Sequence, residues 1–190
     1  MNVGLFFGSF NPVHTGHLII ASYMANFTDL DEVWMVVSPH NPLKDKRKLT
    51  NMYDRLEMTR LATENSEHLK VSNIEFGLPQ PSYTVDTLAY LKEKYPGREF
   101  SLIMGADNLA SLKKWKNYEV LLANHTIYVY PRPGADISEW EGHPAIRVTD
   151  TPNMEISSTF IRNAIKEGKN VQYFLPDSVL EFIEGKNMYR

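Results

Sequence analysis

Two histidines three residues apart, His14 and His17, stand in the stretch Gly8-Ser9-Phe10-Asn11-Pro12-Val13-His14-Thr15-Gly16-His17, directly after an apolar run at 3–7. On the first turn of a helix, side chains three apart share a face, so both imidazoles would point at one bound group. The stretch predicts a strand, a tight turn and a helix opening. Gly8 permits backbone angles that other residues avoid, Asn11-Pro12 signals a turn, and Gly16 leaves the helix start bare enough for a ligand to reach main-chain N–H groups. A helix N-terminus after such a turn is an anion site. Together these residues suit a triphosphate, held by Gly8, Ser9, Phe10 and Gly16 and contacted by two imidazoles. A zinc site is the weaker alternative, since zinc asks for three or four protein ligands and no Cys or neighbouring carboxylate accompanies the pair.

A second stretch, Ile156-Ser157-Ser158-Thr159-Phe160-Ile161-Arg162, carries matching chemistry near the other end of the chain. Ser157 or Ser158 caps a helix, and the next N–H groups with Thr159 can take terminal phosphates. Arg162 falls on the same face with a planar fork suited to phosphate oxygens. Between the two lies Lys44, behind the stiffening prolines Pro39 and Pro42. It is followed by the basic residues Lys46, Arg47 and Lys48, with His40 a minor candidate.

These groups need a scaffold that brings distant segments to one edge. Residues 32–37 form a continuous apolar run of the kind buried on both faces of a parallel sheet, and with the first strand and helix they make a βαβ unit. Its right-handed crossover places the Gly8–His17 turn at the carboxyl edge. A helix capped by Thr50 or Asn51 runs to about residue 63. Further strands follow at 69–71, 100–104, 125–130 and 146–148, with a loop at 76–81. Asp54 and Arg55, near the start of that helix, have facing the site as one reading and an ordinary charged helix surface as the stronger one, and 135–144, with Trp140, fits an exposed loop. The expected architecture is a single α/β domain over 1–190, a Rossmann-like doubly wound parallel sheet.

Ser82-Tyr83-Thr84 opens a helix with Ser82 or Thr84 as cap, and such a start can hold a carboxylate. Gly105-Ala106-Asp107 at a strand end repeats the first turn, with an Asp suited to ribose hydroxyls. Trp115, set among Lys113, Lys114, Lys116 and Asn117, offers an exposed face for a flat ring. Arg132, between two prolines, is a further phosphate candidate.

The first stretch resembles the G-G-[ST]-F-[DN]-P-x-H-x-G-H-L signature of the bacterial nicotinate-nucleotide adenylyltransferases, and 156–162 resembles the I-S-S-T-x-I-R motif of the same nucleotidyltransferase superfamily. One position departs: Phe7 stands where the family usually has the first Gly. The resemblance implies transfer of an adenylyl group from ATP to nicotinate mononucleotide, giving deamido-NAD and pyrophosphate, with Mg²⁺ carried on ATP. It implies catalytic roles for His14, His17, Lys44 and Arg162. Pyrophosphate contacts fall to Ser158 and Thr159, and ribose contacts to Gly105 and Asp107. Substrate contacts fall to Thr84, to Trp115 as a stacking ring and to the backbone around Lys116. Two alternatives stay open: another transferase of the superfamily acting on phosphopantetheine, FMN or a cytidylyl donor, and a nucleotide-binding regulator without turnover.

Composition narrows the partners. The 190 residues carry a net charge of −3 and no Cys. No segment is dominated by basic residues, so nucleic acid and membrane surfaces are not expected partners, and small molecules are. No disulfide or thiolate chemistry is available, and no apolar stretch reaches membrane-spanning length. The chain opens at once on a strand, which gives a cytoplasmic expectation.

Overall fold

The structure, a computed structural model, describes residues 1–39 and 49–190. Lys44, His40, Lys46, Arg47 and Lys48 lie outside the described residues. Among the described residues six strands form one sheet: β1 (Asn2–Gly8), β2 (Glu32–Val37), β3 (Leu69–Ser72), β4 (Glu99–Gly105), β5 (Ile127–Tyr130) and β6 (Ile146–Val148). Their order is β3-β2-β1-β4-β5-β6, and every pairing is parallel. The chain winds outward in one direction from β1 to β3 and then returns to build the other half from β4. The switch point therefore falls between β1 and β4, where ligands bind beyond the strand ends of such sheets.

Burial explains why the strand sequences are apolar throughout. Along β1, Phe6 packs into one core with helices α1 (Thr15–Phe27), α2 (Met52–Thr63), α6 (Ser158–Lys166) and α7 (Asp177–Gly185). Val3 and Leu5 pack into the other, beneath α3 (Thr84–Lys94), the short α4 (Ala106–Leu109) and α5 (Tyr118–Asn124). Strands covered on both faces cannot alternate polar and apolar residues.

Three sequence expectations change. Arg55 is not on a helix surface: its side chain is fully buried, and its guanidinium donates to the carbonyls of Ser9 (2.6 Å), Ser38 (2.8 Å), Pro39 (2.9 Å) and Thr50 (3.1 Å). Helix periodicity reads charge as exposure, but a guanidinium with five donors can be buried where loop carbonyls converge. Trp140 is likewise buried, at the end of a 3₁₀ turn (Ser138–Trp140), with Ala135 and Ile137 against the same core. The stretch at 76–81 is entered through another 3₁₀ turn (Ile74–Gly77).

Candidate active site

The two motifs meet at the carboxyl edge of the sheet. Ser157 is the cap of α6, its Oγ accepting from the Phe160 N–H (3.2 Å), which leaves the neighbouring hydroxyl for another use. Ser158 Oγ donates to the Pro12 carbonyl (2.9 Å), and Arg162 Nη1 donates to the Asn11 carbonyl (2.8 Å). Arg162 Nη2 also donates to Thr159 Oγ1 (3.2 Å), so the fork lies across the helix start. At the α1 start the Thr15 N–H donates to the Phe174 carbonyl (3.0 Å) and the His17 N–H to the His14 carbonyl (2.9 Å); the starts of α1 and α6 both present positive dipole ends.

The glycines act through space more than through backbone angle. Gly8 does not take a left-handed conformation; the positive φ of this turn, 45°, falls on Phe10. A Cβ on Gly8 would stand 2.6 Å from the Phe10 ring, and one on Gly16 would stand 3.1 Å from His14 Nδ1. Each glycine thus makes room for a neighbouring ring. Phe10 is buried, with its ring edge-on to His17 at 5.0 Å and to Phe6 at 5.8 Å. Its contribution to the site passes through the imidazole it supports.

His14 and His17 stack, with ring centroids 3.6 Å apart and planes 25° from parallel. His17 Nδ1 accepts the main-chain N–H of His14 (3.2 Å). In neutral His17 the ring proton therefore sits on Nε2, which is a donor. Burial, with Arg132 as a lesser cause, lowers His14 to about 4, so it is neutral near pH 7. A neutral His14 ring beneath His17 avoids the repulsion that two imidazolium ions would suffer.

These residues line a cavity of about 850 Å³, large enough for a dinucleotide-sized ligand. One end carries Ser9, His14, His17, Ser158, Thr159 and Arg162. Ser9 Oγ is buried there without a hydrogen-bond partner, a group that a ligand oxygen would satisfy. Asp107 and Arg132 approach each other at 3.8 Å on the β4–β5 side of the cavity. Gly105 caps α4, and a Cβ there would collide with Asp107 Oδ1.

The other end of the cavity carries Thr84, Trp115 and Lys116. Neither Ser82 nor Thr84 caps α3: the cap position is Tyr83, whose side chain makes no capping bond. That leaves the helix start suited to an external anion. Lys116 Nζ lies 4.7 Å over the Tyr83 ring and bonds Asp86 (2.8 Å). Trp115 is half-buried, packed on the core with one side toward the cavity, rather than wholly exposed. Phe7, the departure from the motif, points to the same side of β1 as Leu5 and lines the cavity with Trp115.

The sequence marked Asn11 as a turn residue and Arg55 chiefly as helix surface, and did not single out Glu75. Asn11 Oδ1 accepts from the Thr50 N–H (3.3 Å), the Thr50 hydroxyl and the Tyr189 hydroxyl (3.0 Å), which ties α2 and the chain's end to the first motif. Its place inside the motif was a signal; the partners were not readable. Among the described residues no group of three or more His, Cys, Asp or Glu is gathered as a metal cage.

Comparison with known proteins agrees with this geometry. Residues 5–164 match the family model described as cytidylyltransferase-like. A Flavobacterium johnsoniae protein named probable nicotinate-nucleotide adenylyltransferase is 60 % identical over 192 aligned positions, covering the whole of both chains. One of the same name from Cytophaga hutchinsonii is 49 % identical, covering 100 % of this chain and 98 % of its own. The solved structure of Plasmodium falciparum nicotinic acid mononucleotide adenylyltransferase complexed with NaAD superposes with a TM-score of 0.83 at 21 % identity, covering 99 % of this chain and 97 % of that one, a likeness of fold. The chain belongs to the cytidylyltransferase-like family and, within it, to the nicotinate-nucleotide adenylyltransferases.

Proposed function

We propose that this protein transfers the adenylyl group of ATP to nicotinate mononucleotide, releasing pyrophosphate and forming deamido-NAD, and that residues 1–190 work as one catalytic domain. The observation that carries the proposal is the meeting of two helix starts and a stacked imidazole pair at one end of a cavity whose other end offers a half-buried Trp115 and an uncapped helix start.

The mononucleotide phosphate attacks the α-phosphorus in line, and pyrophosphate leaves from the opposite side. The nucleophile is already an anion, so no covalent intermediate is required and catalysis rests on alignment and charge cancellation. His17 donates from Nε2 to an α-phosphate or bridging oxygen, and neutral His14 supports it from below. Arg162 and the α6 start, with Ser158 and Thr159, take the charge that builds on the leaving pyrophosphate. Because the Ser158 hydroxyl bonds Pro12, its contribution to phosphate is through its N–H. Lys44 adds a cation, Gly105 and Asp107 hold the ribose, and Gly8, Ser9, Phe10 and Gly16 shape the phosphate floor. The substrate is Mg²⁺-bound ATP, the ion being carried on the phosphates. Thr84 and the backbone at Lys116 receive the pyridine carboxylate, and Trp115 stacks on the ring. Among the described residues no helix is long and apolar enough to cross a membrane.

The decisive test uses ATP made chiral at the α-phosphorus. Deamido-NAD with inverted configuration supports single in-line displacement; retention would require a covalent intermediate and would overturn the mechanism.

A further inference from the structure

Glu75 is a carboxyl group in an unfavourable place. It is 3 % exposed, in the 3₁₀ turn after β3, and it lines the same end of the cavity as Tyr83, Thr84 and Trp115. An ionised carboxylate there would repel the carboxylate of the substrate proposed above, and burial pushes the Glu75 carboxyl up, since desolvation disfavours its charged form. Burying such a group needs partners, and these are all hydroxyls. Thr87 Oγ1 donates to Glu75 Oε1 (2.9 Å), and the side chains of Ser38 and Ser82 interact with the same carboxyl.

Those partners come from separate segments. Ser38 follows β2 directly, Ser82 immediately precedes the Tyr83 cap, and Thr87 lies on the first turn of α3. The Glu75 carbonyl also accepts from Gln80 Nε2 (3.0 Å), which fixes the loop leading into that helix. With no side-chain cap of its own, the α3 start takes its position from what grips it on either side, and the shared element is the Glu75 carboxyl. The two oxygens of one carboxyl can take donors from several segments at once.

We infer that Glu75 is a positioning residue for the pyridine-nucleotide end of the site: it fixes the α3 start at Tyr83 and Thr84 and so sets affinity for the mononucleotide while leaving the ATP end alone. The inference rests on the proposed substrate. Wild-type turnover of nicotinate mononucleotide is therefore measured first, and its absence would count against that substrate and not against Glu75.

The test compares Glu75→Ala and Glu75→Gln with wild type by steady-state kinetics in both substrates. In Glu75→Ala, KM for nicotinate mononucleotide rises about tenfold or more, equivalent to about 1.4 kcal/mol, while KM for ATP stays within about twofold. Glu75→Gln keeps an acceptor for Thr87 and recovers most of the affinity. If Glu75→Ala does not fold, the pair Ser82→Ala and Thr87→Val removes two of the donors and gives the same selective rise in KM. Folded variants in which both KM values move together, or neither moves while only the melting temperature falls, would overturn the assignment.

Discussion

Arg162 reaches across 151 residues of sequence to donate from Nη1 to the Asn11 carbonyl at 2.8 Å, binding the second motif to the turn of the first. The guanidinium is thereby held at the cavity before any phosphate arrives, which removes part of the ordering cost of binding. Lysine keeps the charge and loses the fork, so it cannot hold Asn11 and Thr159 together. Arg162→Lys lowers kcat/KM for ATP by about 10²-fold, the scale of one lost transition-state donor, and lowers stability by about 1 kcal/mol for the lost carbonyl bond. Steady-state kinetics and urea denaturation check the two parts separately.

His17→Ala removes the Nε2 donor and leaves the His14 N–H without its side-chain acceptor. Turnover falls by about two to three orders of magnitude. His17→Gln places an amide donor near the position of Nε2 and retains more activity than alanine. Single-turnover measurements separate this loss from any change in product release.

His14 gives a stability signature. Its folded value near 4 lies below the ordinary 6.5, so at neutral pH both folded and unfolded states hold it neutral and it exerts no penalty. As pH falls below about 6.5 the unfolded chain takes up a proton that the folded protein refuses until about pH 4, and stability is lost across that window, by about 3 kcal/mol at most. Denaturation midpoints between pH 7 and pH 4 decline less steeply in His14→Gln than in wild type.

Trp115 is tested at the acceptor end. Half-buried against the core, it loses both packing and a stacking face on replacement by alanine. Trp115→Ala raises KM for nicotinate mononucleotide about tenfold, in line with one lost aromatic contact of about 1–1.5 kcal/mol; Trp115→Phe retains most of the affinity. KM for ATP is the internal control.

The parallel sheet and the two helix starts were legible because they depend on local signals: apolar runs, a Gly-rich turn and Ser-Ser-Thr before an amphipathic helix. What the sequence could not display were partners fixed by tertiary packing. Arg55 looked like surface because charge on a helix usually is, yet four carbonyls converge on it. Glu75 sat in a turn without periodicity, and its hydroxyl partners come from three other segments. Trp140 looked exposed because its loop is polar, while Ala135 and Ile137 on the same side were the missed cue. At Gly8 the residue type was right and the physical reason was different, since the space serves the Phe10 ring.

Pyrophosphate release with Mg²⁺-ATP and either nicotinate or nicotinamide mononucleotide tests the assigned activity most directly. An uncapped α3 start beside Trp115 favours an acceptor bearing a carboxylate, so release with the nicotinate form should exceed that with the nicotinamide form by about 10²-fold, the scale of one charge-assisted hydrogen-bonded contact. Equal rates would contradict the carboxylate contact, and release with neither, despite measurable ATP binding, would contradict the adenylyl transfer itself.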